Sequence, residues 1–168
     1  TTGEGPPQDR EERPVKLSVM LNYSGDVMAA AHEAIELEKA GLDVVWIAEA
    51  YSFDAISQVG YLAAITDRVE IGTGILNVYS RTAALMAMTA AGCDYVSEGR
   101  FILGLGASGP QVVEGWYGEA YGKPLARTRE YVDIVRQVLA RETPVEKHGA
   151  FYDLPYTGAD GAGLGKAL

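Results

Sequence analysis

The chain alternates short apolar runs with longer stretches whose apolar positions recur every three or four residues. Short continuous runs are typical of strands buried on both faces, and the longer pattern is typical of helices with one apolar face. The predicted strands are 15–21, 44–48, 69–76 and 101–105, and the predicted helices are 26–40, 54–66, 82–97 and 126–141. Each predicted helix follows a predicted strand, and this order predicts an α/β fold with a parallel sheet.

Four βα units fit into the 168 residues. The periodicity leaves open whether their sheet stays flat or curves into a barrel, for which eight units and roughly 250 residues are usual. Residues 1–14 contain no aliphatic or aromatic side chain and are expected to form a flexible arm. Residues 15–142 form the four units. Residues 143–168 are expected to form a hairpin around Gly149 and then a glycine-rich loop that stops before a further strand.

Composition narrows the classes of partner. The formal net charge of −9 disfavours nucleic acid, because an acidic surface repels phosphates. The single cysteine, Cys93, and two histidines offer little for a disulfide or a metal site, so no metal is predicted. No uncharged apolar run of 18 residues and no secretion signal are visible, so we expect no membrane partner and a cytoplasmic location.

Glycine, at 20 residues, is over-represented, and several glycines follow predicted strands. The stretch from Gly104 to Gly109 matches GxGxxG, which leaves an NAD(P)-binding Rossmann-type domain as one alternative. The carboxyl ends of parallel strands are where α/β folds bind ligands. The aromatic residues of loop 112–124, among them Trp116 and Tyr121, could stack on a ligand or cover the strand ends. Four cations near loops could hold an anion: Arg81, Arg100, Lys123 and Arg127.

Three segments carry a family resemblance: VWIAEAY at 45–51, IGTGILNVYSR at 71–81 and GRFILGLGASG at 99–109. The segments LARTREY at 125–131 and GLGK at 163–166 add to it. Together they resemble the luciferase-like monooxygenase family, and most of all its deazaflavin branch, the oxidoreductases that depend on coenzyme F-420. The similarity runs from residue 15 to residue 168.

The resemblance implies a TIM (β/α)₈ barrel, of which this chain holds about half. It implies an oxidoreductase that uses coenzyme F-420, or alternatively FMN, for hydride transfer to or from a small organic substrate. It also implies a cis peptide bond between Gly74 and Ile75, behind the cofactor ring. The implied cofactor-binding residues are Glu49, Gly74, Ile75, Asn77, Gly106, Ala107, Ser108 and Gly109.

Two departures from the family pattern leave the catalytic residue unassigned. Relatives often have a histidine after the acidic residue at the end of the second strand, where this chain has Ala50. A carboxylic acid in the loop after the fourth strand has no counterpart in GASGPQ, and the nearest is Glu114.

Family members continue for about as many residues again. The chain is therefore expected to be a fragment of a longer product, although two copies closing one barrel, as a homodimer, or an open half remain alternatives. A truncated, non-catalytic module that binds flavin or associates with itself is the alternative function. Its two open parallel edges would favour self-association.

Overall fold

A computed structural model describes residues 15–22 and 25–163. The arm predicted at 1–14 and the last five residues of the predicted glycine-rich loop lie outside this part. The strands are β1 (Ser18–Met20), β2 (Val44–Ile47), β3 (Glu70–Thr73), β4 (Leu76–Asn77), β5 (Phe101–Ile102), β6 (Leu105–Gly106), β7 (Lys147–His148) and β8 (Asp153–Leu154). The helices are α1 (Val27–Lys39), α2 (Ala55–Ile65), α3 (Ala83–Val96), α4 (Pro110–Val113) and α5 (Pro124–Ala140).

The main sheet has four parallel strands in the order β1-β2-β3-β5. Strands β4 and β6 form a second parallel pair that follows β3 and β5 along the chain. The spatial order is thus the sequence order, as in one half of a (β/α)₈ barrel. A Rossmann-type domain has a strand order that reverses beside its first strand. The NAD(P)-binding alternative is therefore wrong, and the predicted α/β half barrel is confirmed.

The four long helices lie within two residues of their predicted bounds because local signals fix their ends. The Asp54 carboxylate accepts hydrogen bonds from the amides of Ile56 and Ser57, and so begins α2. Thr82 does the same for α3 through the amide of Leu85. Helix α5 starts two residues earlier than predicted, with a proline in its first turn, where no amide hydrogen is needed.

Several sequence-based expectations differ from the structure. The predicted strands 69–76 and 101–105 are each divided in two, into β3 with β4 and into β5 with β6. The predicted strand 15–21 is reduced to β1, which pairs with β2 alone. Leu139, predicted to face inward, is 45% exposed because it lies in the last turn of α5, past the part of the helix that the core covers. The short helix α4 was not predicted, since its four residues carry too little periodicity to detect.

Two glutamates tie loops to helices. The carboxylate of Glu38 accepts the backbone amides of residues 67–69, and that of Glu130 accepts those of residues 150–152. Burial opposes ionisation of Glu38, but the three amides outweigh it and lower its pKa. The amide of Phe151 is the main cause of the lowered pKa of Glu130. Both carboxylates are therefore ionised while they hold these loops.

The antiparallel pair β7 and β8 lies where the sequence predicts a hairpin. The exposed imidazole of His148 joins its strands: Nδ1 lies 2.7 Å from Asp153 Oδ1 and Nε2 lies 3.1 Å from Glu146 Oε1. The carboxylate of Asp153, followed by that of Glu146, raises the pKa of His148 above its ordinary value of 6.5. Protonated His148 thus strengthens the hairpin.

This arrangement predicts a pH dependence. Because the folded-state pKa is raised, the stabilisation is fully present below the unfolded value of about 6.5 and is lost as pH rises through the folded value. We expect the wild type to have a higher melting temperature than His148→Gln at about pH 5.5, and this difference to disappear as the pH rises to about 8.5. A difference in melting temperature that is constant, or that grows at high pH, would contradict the stabilising role of protonated His148.

Within the described ranges, no helix has the length and apolar character that a bilayer-spanning segment needs. Nor does the described part bring three histidine, cysteine or carboxylate side chains together in a way that could hold a metal ion.

Candidate functional site

One face of the sheet is left free by the helices. Met20, Trp46 and Gly72 are in register on β1, β2 and β3, so their side-chain positions share a face. The neighbouring positions Val45 and Ile71 point the other way and belong to the buried core. A Cβ atom at Gly72 would lie 2.3 Å from the Trp46 ring. The indole therefore lies flat over Gly72 on the free face, which corresponds to a barrel interior.

The third strand is interrupted where the resemblance implies a bulge. Strand β3 ends at Thr73 and β4 begins at Leu76, with Gly74 and Ile75 between them. The predicted cis bond is wrong: the peptide between Gly74 and Ile75 is trans, and the cis bond of the described part is Leu154–Pro155. A non-proline cis bond costs about 3 kcal/mol and needs surroundings that enforce it. The Gly74 amide, which belongs to the preceding peptide, donates to the Ile47 carbonyl oxygen at 2.6 Å.

The glycines of the fourth strand let two backbones approach each other. A Cβ atom at Gly104 would lie 2.0 Å from the carbonyl oxygen of Thr73. The Thr73 hydroxyl accepts from the Gly104 amide at 2.9 Å and donates to its carbonyl at 3.0 Å. At Gly106 a Cβ atom would lie 2.8 Å from the Ile75 side chain. Two glycines of the GxGxxG motif are thus explained by strand packing rather than by a pyrophosphate.

Asn77 is buried at the end of β4, paired with Gly106 of β6. Its side-chain oxygen accepts the amide of Tyr79 at 2.9 Å, and its carbonyl accepts both the amide and the hydroxyl of Ser80. Its Nδ2 atom is buried and has no partner in the described part of the chain. Such an unpaired donor is costly, which makes it a candidate contact for a ligand acceptor.

Glu49 is held by an ion pair. Its two oxygens lie 2.8 and 2.7 Å from the two terminal nitrogens of Arg81, and it also accepts the Ala55 amide at 3.1 Å. The two side chains are only 7% and 15% exposed. The hydrogen bonds that Arg81 donates to the Glu49 carboxylate are the main cause of the raised pKa of Arg81. The Tyr131 hydroxyl, donating to the carbonyls of Arg81 and Thr82, fixes the backbone beside the pair. The Glu49 carboxylate is therefore fixed in position, and the charge of Arg81 balances its negative charge.

The turn after β6 presents backbone donors. Ser108 has a φ of +56°, a conformation unusual for a residue with a side chain. Its carbonyl accepts a hydrogen bond from the Tyr121 hydroxyl at 2.9 Å. The amides of Ala107, Ser108 and Gly109 donate to no acceptor that the structure describes, and the three residues are half-buried. Unpaired amides on one turn can hold an anionic or carbonyl oxygen.

An aromatic roof, formed by Tyr79 and Tyr121, covers this turn. The two rings are stacked, with centroids 5.9 Å apart, and the Tyr79 hydroxyl donates to the Tyr121 carbonyl at 2.5 Å. The Arg127 guanidinium lies 4.6 Å from the Tyr79 ring centroid and also contacts the rings of Phe151 and Tyr152. Burial raises the pKa of Tyr79. The roof therefore connects α5 and the hairpin to the turn.

The contacts of each arginine show whether it is available to bind an anion. Arg81 is engaged by Glu49, and Arg127 lies among aromatic rings. Arg100 donates to the carbonyls of Ala63, Thr66 and Val69 and so ties two loops together. The expectation that they hold an anion is therefore not supported for Arg81 and Arg100, whereas the buried Nε of Arg127 has no partner in the described part of the chain. The partner of each lies far away along the chain, and nothing in the local sequence identifies it.

A cleft of about 370 Å³ opens beside the ion pair, lined by both of its residues and by Ser80, Phe53 and Trp116. A second cavity, of about 360 Å³, lies between α1 and α2 and is apolar. The free amides at 107–109 and the glycine turns line neither the cleft nor this cavity. That the site lies at the carboxyl ends of the strands stays a prediction.

Comparison with known proteins identifies the family and the fold. The family model for luciferase-like monooxygenases matches residues 14–162. A Mycobacterium tuberculosis protein inferred to be a coenzyme F-420-dependent oxidoreductase is 50% identical over 159 residues, which cover 94% of this chain and 46% of that protein.

Solved structures share the fold. The coenzyme F-420-dependent tetrahydromethanopterin reductase of Methanopyrus kandleri matches with a TM-score of 0.73 and 25% identity, over 85% of this chain and 45% of that one. A Pseudomonas putida Baeyer–Villiger monooxygenase in complex with FMN matches with a TM-score of 0.71 and 18% identity, over 84% and 43%. The chain thus spans about half the length of the proteins it matches. Its match across 14–162 and its four-strand half barrel establish that the chain belongs to the luciferase-like monooxygenase family.

Proposed function

We propose that this chain forms the amino-terminal half of a cofactor site in an oxidoreductase that transfers hydride between coenzyme F-420 and a small organic substrate. FMN is the alternative cofactor. The observation that carries the proposal is the turn at 107–109, where three amides without a described acceptor follow the fourth parallel strand. The names of the Mycobacterium and Methanopyrus relatives favour the deazaflavin over FMN.

The residues present fit such a group. Gly74 and Ile75 would form the wall behind a flat ring, and the Cβ side of Gly74 is packed against Met20 and the backbone of Ile47 and Ala48. The buried Nδ2 of Asn77 and the amides at 107–109 would be donors for ring or phosphate oxygens. Glu49 would act by orienting Arg81 rather than by direct contact through a free carboxylate. When bound, the deazaflavin supplies the carbon that gives or takes the hydride.

We assign no proton donor to this chain. The Glu49 carboxylate is ion-paired with Arg81. Glu114, the nearest carboxylate after the fourth strand, is exposed and accepts the Tyr121 amide at 3.3 Å. The role of this half is therefore to bind and orient the cofactor, and we expect the reacting substrate to meet groups contributed outside it.

A binding titration tests the proposal. Coenzyme F-420 and FMN are each added to this chain and to a chimaera in which it replaces the matching 46% of the Mycobacterium relative. We expect the chimaera to bind coenzyme F-420 more tightly than FMN, and the chain alone to bind weakly. Binding without hydride transfer in the chimaera would favour a non-catalytic binding module. No binding of either cofactor to either protein would refute the proposed function.

The roof gives a sharper prediction within that experiment. Tyr121→Phe keeps the stacked ring but removes the hydrogen bond to the Ser108 carbonyl, so the turn loses its restraint. We expect the dissociation constant of coenzyme F-420 from the chimaera to rise about 2- to 10-fold, the equivalent of one hydrogen bond. Tyr156→Phe is the control, because it removes a similar hydroxyl contact, to Asp160, away from the turn. Equal affinities for the two variants would contradict the role of Tyr121.

A further inference from the structure

The apolar cavity between α1 and α2 lies on the helical side of the sheet. Leu21, which follows β1, is one of the residues that line it. Successive side chains of an extended chain point to opposite faces, and Met20 belongs to the free face, so Leu21 points toward the helices. The turn at 107–109 does not line this cavity. The cavity is therefore separate from the candidate cofactor site.

The wall of the cavity is apolar. Leu21, Ala31 and Leu62 are buried, whereas Met28 and Phe53, which are about half exposed, lie where the cavity meets the surface. An apolar cavity of about 150 Å³ can hold benzene. The 360 Å³ measured here therefore has room for a molecule of about two fused rings. This volume also falls in the range of about 300–1,000 Å³ that is usual for small-molecule sites.

The polar side chains at the edge of the cavity already have partners. The Asp54 carboxylate accepts the amide and the hydroxyl of Ser57, and a nitrogen of Arg81 lies 4.0 Å from it. The Tyr61 hydroxyl lies 3.3 Å from Nε2 of His32. No lysine or arginine is among the described residues that line the cavity. A charged ligand would therefore find no free counter-charge, so the lining favours a neutral one.

Gln58 is the polar residue of the lining that lacks a partner for one of its atoms. It is 7% exposed, and its Nε2 donates to the Asp54 carbonyl oxygen at 3.4 Å. This contact fixes the orientation of the side-chain amide, because the reverse orientation would bring two oxygens together. Oε1 of Gln58 is buried and accepts no hydrogen bond from the described part of the chain. A buried acceptor without a donor is costly, and a single buried water usually needs about three polar partners.

We propose that this cavity binds a small neutral alcohol or phenol, with an apolar body of about two rings and one hydroxyl group that donates to Oε1 of Gln58. The apolar wall accounts for the body of the ligand, because its burial removes apolar surface from water. The unpaired acceptor accounts for the hydroxyl group, and the lack of free counter-charges accounts for neutrality. The proposal does not depend on the proposed function, since none of its residues is assigned to the cofactor.

Nuclear magnetic resonance of the nitrogen-15-labelled 168-residue chain tests the proposal, with 2-naphthol as the probe. This compound has two fused apolar rings and one hydroxyl group. We expect saturable shifts of the side-chain amide of Gln58 and of the backbone amides of Ala31 and Leu62. The anion 2-naphthoate has the same rings and should bind at least about 10-fold more weakly, because the described lining offers its carboxylate no counter-charge.

The hydrogen bond is tested by Gln58→Met, which keeps the length of the side chain and removes the acceptor. The dissociation constant of 2-naphthol should rise about 2- to 10-fold, the equivalent of one hydrogen bond. That of 2-methylnaphthalene, which has a methyl group in place of the hydroxyl, should not rise. Gln137→Met is the matched control, because it makes the same change on α5, where Gln137 accepts the Glu146 amide. It should leave both affinities unchanged, and circular dichroism should show that the variants are folded.

The position of the ligand is tested independently by Ala31→Leu. The added side-chain atoms would fill part of the cavity from α1, so both naphthalene compounds should bind more weakly. Three results would each overturn the proposal: a wild type that does not bind 2-naphthol saturably, shifts at the turn 107–109 in place of α1 and α2, or a Gln58→Met variant that weakens both compounds equally. None of these measurements involves coenzyme F-420, so they are independent of the test of the proposed function.

Discussion

Replacing Arg81 by methionine is expected to lower the free energy of unfolding by about 3–5 kcal/mol, a large share of the stability of a domain. The loss arises because Glu49, whose side chain is 7% exposed, would keep a buried charge without a counter-charge. The pair also connects the end of β2 to the start of α3, so its loss should loosen the candidate site. Urea denaturation, followed by far-ultraviolet circular dichroism, measures the change.

Two controls distinguish a buried ion pair from a general effect of losing a cation. Lys39→Met removes an ion pair with Glu36 in which both side chains are about two-thirds exposed or more, and should cost at most about 0.5 kcal/mol. The double variant Glu49→Met with Arg81→Met removes both charges and should recover much of the loss. An Arg81→Met variant no less stable than Lys39→Met would show that the pair is not buried as described.

Gly104→Ala is expected to lower the free energy of unfolding by about 3 kcal/mol. Its Cβ atom would lie 2.0 Å from the carbonyl oxygen of Thr73, a backbone atom that no side-chain rotation can move away. The strands would have to separate, which would lengthen both hydrogen bonds of the Thr73 hydroxyl to Gly104.

Gly60→Ala is the matched control for this variant. Gly60 lies in α2 with open space around its Cβ position, so alanine should stabilise the helix by up to about 1 kcal/mol. The two substitutions add the same methyl group and should change the unfolding free energy in opposite directions. Changes of the same sign would contradict the close approach of the strands at Gly104.

The fold could be predicted because its signals are local. Apolar runs and apolar helical faces identify four strands and four long helices, and capping residues such as Asp54 and Thr82 mark where helices begin. The strand ends were less predictable. Strand β1 is short because it has a partner on one side only, and the break at Gly74 and Ile75 lies inside the predicted strand 69–76, where Ile75 and Leu76 continue its apolar pattern.

The place of the site could be predicted, but its contacts could not. The position of the carboxyl ends of parallel strands follows from the topology, which the sequence predicts. The contacts do not follow from it: Arg81 and Glu49 are 32 residues apart in the sequence, and Tyr121 and Ser108 are 13 apart. Arg81, Arg100 and Arg127 look alike in sequence and have three different environments in the structure. Such pairings depend on the packing of distant segments, which composition and spacing do not encode.

We propose that the turn at 107–109 belongs to a cofactor site, and amide chemical shifts test this assignment most directly. The chimaera with the Mycobacterium relative, labelled with nitrogen-15, is titrated with coenzyme F-420. We predict saturable shifts at the amides of Ala107, Ser108 and Gly109 and at the side-chain amide of Asn77, with one cofactor bound per chain. Saturable binding that leaves these four signals unmoved would contradict the proposed site.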